Sequence, residues 1–523
     1  MAPLNRGLGS MLLRAAEEQP ARTALLDADT CITYEALHSA ALKIGGSLAA
    51  AGVGPGSRTA ILMDRSLAAV MAIHGTVQSG SAYVPLDTAA PASRLLQIMQ
   101  DCDLDAVLYD AANRRLAEQL GANFSVSECG ACLSDSIKFF RFARDGGVTF
   151  IDSRAESDLA YILYTSGSTG ASKGVAVGRA AAEAFIEWSA SEVGLDPSDR
   201  IVSLAPLHFD LSIFDIFATV ASRASLAIPP ASTAAFPQAL RSFLTRIEAT
   251  TIYTVPSTLN LLLDRADPTA ANLPTLRNVL FAGEPFQPQR LRQFMERLPG
   301  TRFFNLYGPT ETNVCTFFKV ELENFPARQV PIGTALPYVS LAVLDDSGKI
   351  ITDRVRGELL VGGLGLMVGY WRDSGATERA LLRDETTGMC YYRTGDLIDF
   401  DELGRMIFMG RLDHQVKTRG FRVELEDVEH SIRSCPAVTD AVVTAVAHEL
   451  FTNLLVAHME CDPSAAPEEI VSWCNRHLPK HMIPSEFYTI LSLPRTTTGK
   501  VDRAAVRRLL PPPPASSRSA GSP

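Results

Sequence analysis

Residues 159–174 read LAYILYTSGSTGASKG, and the rest of the chain is read from this stretch. LAYIL is a short apolar run of the kind that forms a buried strand. It runs into a loop where Gly167, Gly170 and Gly174 alternate with Thr165, Ser166, Ser168, Thr169 and Ser172, with Lys173 near its end. Glycines let a backbone fold tightly and approach a ligand with no side chain in the way. Exposed N–H groups and hydroxyls then offer donors to anionic oxygens, and Lys173 adds a positive point charge. A plain polar surface loop is the competing reading, which such clusters usually deserve. A P-loop of the GxxxxGK[ST] kind is excluded, because Lys173 follows Ser172 and Gly174 stands where the magnesium-binding hydroxyl belongs. The loop therefore points to phosphates, and the rest of the site must come from elsewhere.

Outward from this loop, from about residue 20 to 310, short β-type runs alternate with helix-period segments. The runs include TAILM after Arg58, DAVLY near 106–109, IVSLA at 201–205, TIYTV at 251–255, NVLFA at 278–282 and RFFNL at 302–306. Helical spacing appears in YEALHSAALKIGGSLAAAG and RAAAEAFIEWSASEVG. Such alternation predicts parallel sheets covered by helices, whose ligands sit at the carboxyl ends of strands. After about 330 come glycine-punctuated runs, GELLVGG, YYRTGDL and GRMIFMGRLD, that predict a small β-rich unit. GGLGLMVG (362–369) mimics a dinucleotide fingerprint but lacks a following helix pattern, so it reads as a turn between strands. Beyond Arg411 an α+β module follows, with Leu425, Val428 and Ile432 on one helical face and a helix beginning at Pro467. The expected fold is α/β: an N-terminal core (1–411) of sheets and helices with a small β-rich subdomain, a mobile α+β C-terminal domain (412–510), and a Pro/Ser-rich disordered tail (511–523).

A net charge of −10 with no basic stripe argues against a nucleic-acid partner. No run of 18 apolar residues occurs, and Arg14 interrupts the N-terminal apolar patch too soon for a signal peptide. Nine cysteines without framework spacing suit a reducing cytoplasm. Cys129 and Cys132 form a single CxxC with no second pair, which reads as a loop coincidence.

Further motifs follow in order: SGSAYVPLD (79–87) before the loop, then FDLS (209–212), NLYGPTE (305–311), GELLVGG (357–363), YRTGDL (392–397), GRLDHQVKTRGFRVELEDVE (410–429), LPKHMIP (478–484) and TGKVDR (498–503). Together with YTSGSTGASKG this ordered set resembles the adenylation domains of nonribosomal peptide synthetases, within the adenylate-forming superfamily of acyl-CoA synthetases and luciferases. The resemblance spans about residues 20 to 508. It implies an ATP-dependent ligase that makes an acyl-adenylate and pyrophosphate, then passes the acyl group to a carrier protein's phosphopantetheine thiol. No carrier region follows Arg508, so the carrier is expected to act in trans.

On that resemblance, Thr165, Ser166, Gly167, Ser168, Thr169 and Lys173 would hold the β- and γ-phosphates. Glu311 would coordinate Mg²⁺, a hard cation suited to carboxylate and phosphate oxygens. Thr310 would reach the α-phosphate. Tyr307 would stack on adenine, with Gly283, Glu284, Asn305 and Gly308 around the base, and Asp396 and Arg411 would hold the ribose. Lys500 would bridge substrate carboxylate and phosphate in the transition state, as a point charge aimed at developing negative charge. Asp413 falls at the family's hinge, while Lys417 and Gly420 would face the site in the thioester step. Asp210 matches the position that pairs with an amino-acid ammonium; its plainer role is an N-cap for a helix near Leu211. The carried-over pocket is Asp210, Leu211, Phe214, Thr254, Leu280, Ala282, Leu306, Val314 and Cys315, with Lys500. It is apolar apart from Asp210, Thr254 and Cys315, which suits a small to medium apolar amino acid. The set looks like that of stand-alone prolyl-activating enzymes, except that Thr254 stands where tyrosine is typical and would leave room for a substituted proline. His208 is expected only to shape the wall.

Overall fold

The computed structural model describes residues 7–128, 137–142, 158–166, 172–323, 325–326, 328–413, 415–448, 450–461, 467–495 and 501–509. Gly167, Ser168, Thr169, Lys500, the CxxC and the C-terminal tail lie outside the described residues.

Two mixed sheets form the N-terminal core. Six parallel strands centre the larger one, in spatial order Arg302–Tyr307, Asn278–Phe281, Thr251–Thr254, Arg200–Val202, Ser225–Ala227 and Thr23–Leu26. The other has a parallel centre of Leu159–Thr165, Ala82–Pro85, Arg58–Leu62 and Ala106–Asp110. Both carry antiparallel strands at their margins. The sequence pattern predicted parallel sheets; the difference lies in short connections such as 308–315, which leave no room for a crossover helix and so reverse the strand. Strands buried on both faces explain the unbroken apolar runs: every residue of Arg58–Leu62, Ala82–Pro85 and Asn278–Phe281 is buried.

Helices cover these sheets with their apolar stripes. In Tyr34–Ala50, Leu37, Ala41, Ile44 and Leu48 are buried, and the Thr33 hydroxyl caps the first turn by accepting from the Ala36 N–H. Strands between Val339 and Arg411 form the expected β-rich unit, paired antiparallel, and 363–369 is the expected link between strands. A hairpin, Gln415–Thr418 with Phe421–Glu424, follows. Beyond it, three strands (Val438–His448, Thr452–Cys461, Glu486–Thr489) carry the helices Leu425–Arg433 and Pro467–His477. Leu425, Val428 and Ile432 are buried in this small core, as their spacing required. No helix among the described residues is long and apolar enough to cross a membrane.

Candidate active site

The parallel strands Thr251–Thr254, Asn278–Phe281 and Arg302–Tyr307 end side by side, and the residues after them close over one cavity of about 150 Å³. Its wall includes Thr165, Ser166, Asp210, Ala282, Thr310 and Asp396 from the core, and Lys417, Gly420 and Arg422 from the 415–424 hairpin. Motifs separated by hundreds of residues thus meet because strand ends, not sequence neighbours, define the site.

Glycine is required at two points of this wall. A Cβ at Gly308 would lie 1.7 Å from the Asn313 carbonyl oxygen, so the YGPTE turn can fold back on itself only there. At Gly420 φ is +83°, and a Cβ would lie 2.6 Å from Val255 Cγ1; the bare backbone lets the hairpin tip touch the core.

The acidic residues are all partnered. Glu311 is buried; one carboxylate oxygen accepts from the Tyr370 hydroxyl at 2.7 Å and the other pairs with Arg422 at 3.1 Å. Burial pushes its pKa up, but Arg422, Tyr370 and Tyr392 outweigh that and hold it below the usual carboxylate range. Lys173 lies over the Tyr370 ring at 5.3 Å, so Lys173 and Glu311 flank one tyrosine. Asp396 accepts from the Tyr307 hydroxyl and pairs with Arg411, which also grips Asp413 at 2.6 Å. Lys417 sits 5.7 Å over the Tyr307 ring, the ring expected to stack on adenine, and burial lowers its pKa against the pull of Asp396. Glu284 accepts from the N–H groups of Ser257 at 3.1 Å and Gly420 at 2.6 Å. Asn305 is turned aside, donating to the Pro331 carbonyl. Ser166 donates to the Arg422 carbonyl at 3.0 Å and accepts from the Glu424 N–H at 3.3 Å.

Of the residues carried over for an amino-acid pocket, Asp210, Leu211, Ala282 and Val314 line the cavity. Phe214, Leu280 and Leu306 are buried in the core cluster that also holds Tyr253. No capping bond is made by Asp210 to the short helix Leu211–Ile213. Its carboxyl is pushed up to about 6, chiefly by burial with help from Glu311, while the Leu211 N–H, the Thr310 hydroxyl and Lys417 favour the charged form. Two carried-over positions do not fit. Tyr253, not Thr254, stands on the cavity wall; it is paired in register with Leu280 and meets Phe214 edge-to-face at 5.4 Å. Thr254 pairs with Phe281, and alternation along the strand puts it on the other face. Cys315 packs with Tyr307 and Ile332 in a different cluster, its thiol donating to the Tyr307 carbonyl at 3.4 Å. The extra room expected from Thr254 is therefore filled by a tyrosine ring.

The sequence reading gave no role to Arg422, Phe421, His481 or Arg94. Phe421 stacks on His481 at 3.7 Å and meets Phe209 edge-on at 4.6 Å, while Arg94 pairs with Asp427 at 3.5 Å. These contacts join the core to the C-terminal region. Phe421 and Arg422 lie within a quoted motif and His481 within another, but nothing in a single sequence marks long-range partners.

The chain belongs to the AMP-binding enzyme family, whose pattern matches residues 12–371, with the AMP-binding enzyme C-terminal domain matching 427–500. Among individual relatives, it is 34% identical over 514 residues to an L-proline–[L-prolyl-carrier protein] ligase of Streptomyces coelicolor, covering 95% of this chain and 96% of that protein. A ligase of the same name from Pseudomonas fluorescens is 34% identical over 509 residues, covering 96% and 99%. The solved Vibrio cholerae adenylation domain AlmE, in complex with glycyl-adenosine-5'-phosphate, superposes with a TM-score of 0.81 at 26% identity, covering 97% of this chain and 98% of that one.

Proposed function

We propose that this ligase activates L-proline as prolyl-AMP, releasing pyrophosphate, and transfers the prolyl group to the phosphopantetheine thiol of a separate carrier protein in the cytoplasm. The observation that carries the reading is Asp210: a carboxylate on the wall of an otherwise apolar pocket, in one cavity with Thr165, Ser166 and Thr310. Such a group is costly unless a cation meets it, and an amino acid brings an ammonium. Tyr253 narrows the pocket, which favours unsubstituted proline and other compact apolar side chains. The relatives named as prolyl-carrier ligases support the choice of proline and of a carrier partner. Free thiols at all seven described cysteines suit a reducing compartment.

In the first step a substrate carboxylate oxygen forms a bond to the α-phosphorus of ATP, and the bond to pyrophosphate breaks. Two anions must be brought together, so cationic and hydrogen-bonding groups carry the catalysis. Thr310 and Lys500 serve the reacting oxygens; Thr165, Ser166, Gly167, Ser168, Thr169 and Lys173 serve the leaving phosphates. Glu311, an ionised hard-oxygen ligand, fits Mg²⁺. The described residues hold no group of three or more His, Cys, Asp or Glu that could hold a metal ion, so phosphate oxygens and water would complete the shell. When bound, the ion neutralises phosphate charge. Glu311 becomes available only when Arg422 leaves it. The arrangement seen here, with the 415–424 hairpin docked, suits the second step, in which the thiol replaces AMP. Residues 1–411 and 412–510 then act as two bodies hinged near Asp413.

Pyrophosphate exchange measured with every proteinogenic amino acid, cyclic imino acids, benzoate and fatty acids tests this. Proline should give the fastest exchange. Exchange with valine or alanine but not proline would reject the choice of amino acid, and exchange with benzoate or a fatty acid alone would reject amino-acid activation.

A further inference from the structure

The second step needs something the residues above do not supply. The thiol sulfur forms a bond to the carbonyl carbon, the carbon–oxygen bond to AMP breaks, and the thiol proton must go to an acceptor. Glu311 and Asp396 are already paired with arginines, and Asp210 is assigned to the ammonium.

His208 stands on the same cavity wall, two residues before Asp210. Among the described residues lining that cavity, it alone carries a buried side-chain nitrogen or oxygen, Nε2, without a hydrogen-bond partner. Buried polar groups are normally satisfied, and an exception calls for an explanation such as a catalytic role. The ring lies edge-on to Phe209 at 5.3 Å, and Phe209 in turn meets Phe421 of the docked hairpin at 4.6 Å. His481, stacked on Phe421, lines the cavity too. The imidazole thus stands where core and docked C-terminal region close on each other, next to the amino-acid pocket.

Resting on the function proposed above, we propose that His208 is a catalytic residue of the transfer step, accepting the proton of the incoming thiol as sulfur bonds to the prolyl carbonyl. The imidazolium then releases its proton to solvent after AMP departs. Asp87 and His481 are the titratable groups that act on the ring, Arg94 bears on His481, and Asp210 lines the same cavity. Burial keeps the pKa of His208 below the ordinary imidazole value, with Asp87 pulling the other way. The ring is therefore neutral, in its base form, near pH 7.

The test uses the full-length enzyme with His208→Ala and His208→Gln, in single-turnover thioester formation and in proline-dependent pyrophosphate exchange. Two acceptors are compared, N-acetylcysteamine and the more acidic 2,2,2-trifluoroethanethiol. Loss of a general base should lower the ratio of transfer to exchange by about 10²-fold with N-acetylcysteamine. The loss should shrink to under about tenfold with trifluoroethanethiol, whose proton needs less help to leave. Exchange itself reports that each variant is folded. Equal losses with the two thiols, full transfer by His208→Gln, or an unchanged ratio would show that His208 only shapes the wall and would overturn the proposal. Absence of amino-acid-dependent exchange in the unmodified enzyme would instead overturn the function on which it rests.

Discussion

The two halves of the cavity are built differently. The core half stands on parallel strand ends: Thr310 and Glu311 follow Tyr307, Ala282 and Glu284 follow Phe281, and Asp210 leads the short buried helix Leu211–Ile213. These positions are fixed by strand register and by large buried clusters. The other half is a four-residue-a-side hairpin held to the core by a few contacts, Gly420 to Glu284, Arg422 to Glu311 and Ser166, and the edge of Phe421 against Phe209, with Arg94 to Asp427 of the next helix beside it. Contacts of this kind exchange readily for water or for ligand, whereas strand register does not. The rigid half suits positioning of nucleotide and amino acid, and the exchangeable half suits a change of partner between two steps.

The largest expected effect tests whether the docked arrangement is one of two. Lys500→Ala should lower prolyl-dependent exchange by about 10²–10³-fold, the scale of one lost transition-state donor. Unchanged exchange would remove Lys500 from the mechanism and leave the rigid half sufficient by itself.

Asp210→Asn should cost about 10²-fold in kcat/KM for proline, since truncating one member of a desolvated charge pair is worth ~2–5 kcal/mol. The same carboxyl gives a pH signature. Its pKa is raised to about 6, so it takes up a proton below that pH. kcat/KM for the amino acid should then fall about tenfold per pH unit below 6 and be flat above it. Its contribution to stability runs the opposite way, present below the ordinary carboxylate range and lost as pH rises through 6.

Arg422→Met sharpens the contrast between halves. Arg422 competes for the carboxylate of Glu311 in the docked state. Its removal should lower the KM for ATP and slow thioester transfer, each by about tenfold, a coupling of ordinary allosteric size. Parallel loss of exchange and transfer would contradict competition. The smallest effect concerns the pocket floor. Tyr253→Ala should raise exchange with 4-substituted prolines relative to proline by roughly tenfold, the worth of one or two methylenes of added room; Thr254→Ala should leave that ratio alone.

The reading of the sequence succeeded where chemistry and periodicity act locally. LAYIL, NVLFA and RFFNL could be placed as buried strands because both faces are covered, and Leu425, Val428 and Ile432 fell on one helical face because their spacing demanded it. The glycine- and hydroxyl-rich stretch after LAYIL, YGPTE and TGD stand out by residue types that ligand chemistry or tight turns call for. The pocket assignment slipped by one residue, at Tyr253 and Thr254, and in a strand one residue reverses the face. Register is set by the neighbouring strand, here the pairing of Tyr253 with Leu280, which a single sequence does not contain. Arg422 with Glu311 and Phe421 with His481 were illegible for the same reason: each joins segments more than 50 residues apart. The antiparallel margins of the two sheets were not foreseen because periodicity reports burial, not strand direction.

The most direct test of the division between halves is Asp413→Pro, at the residue that ties Arg411 to the start of the hairpin. Pyrophosphate exchange and single-turnover transfer to a holo-carrier protein are measured on the same preparation. The account predicts that exchange survives within about tenfold while transfer falls by 10²-fold or more, because a locked junction cannot absorb the rotation. Equal loss of both activities, or equal retention, would contradict it.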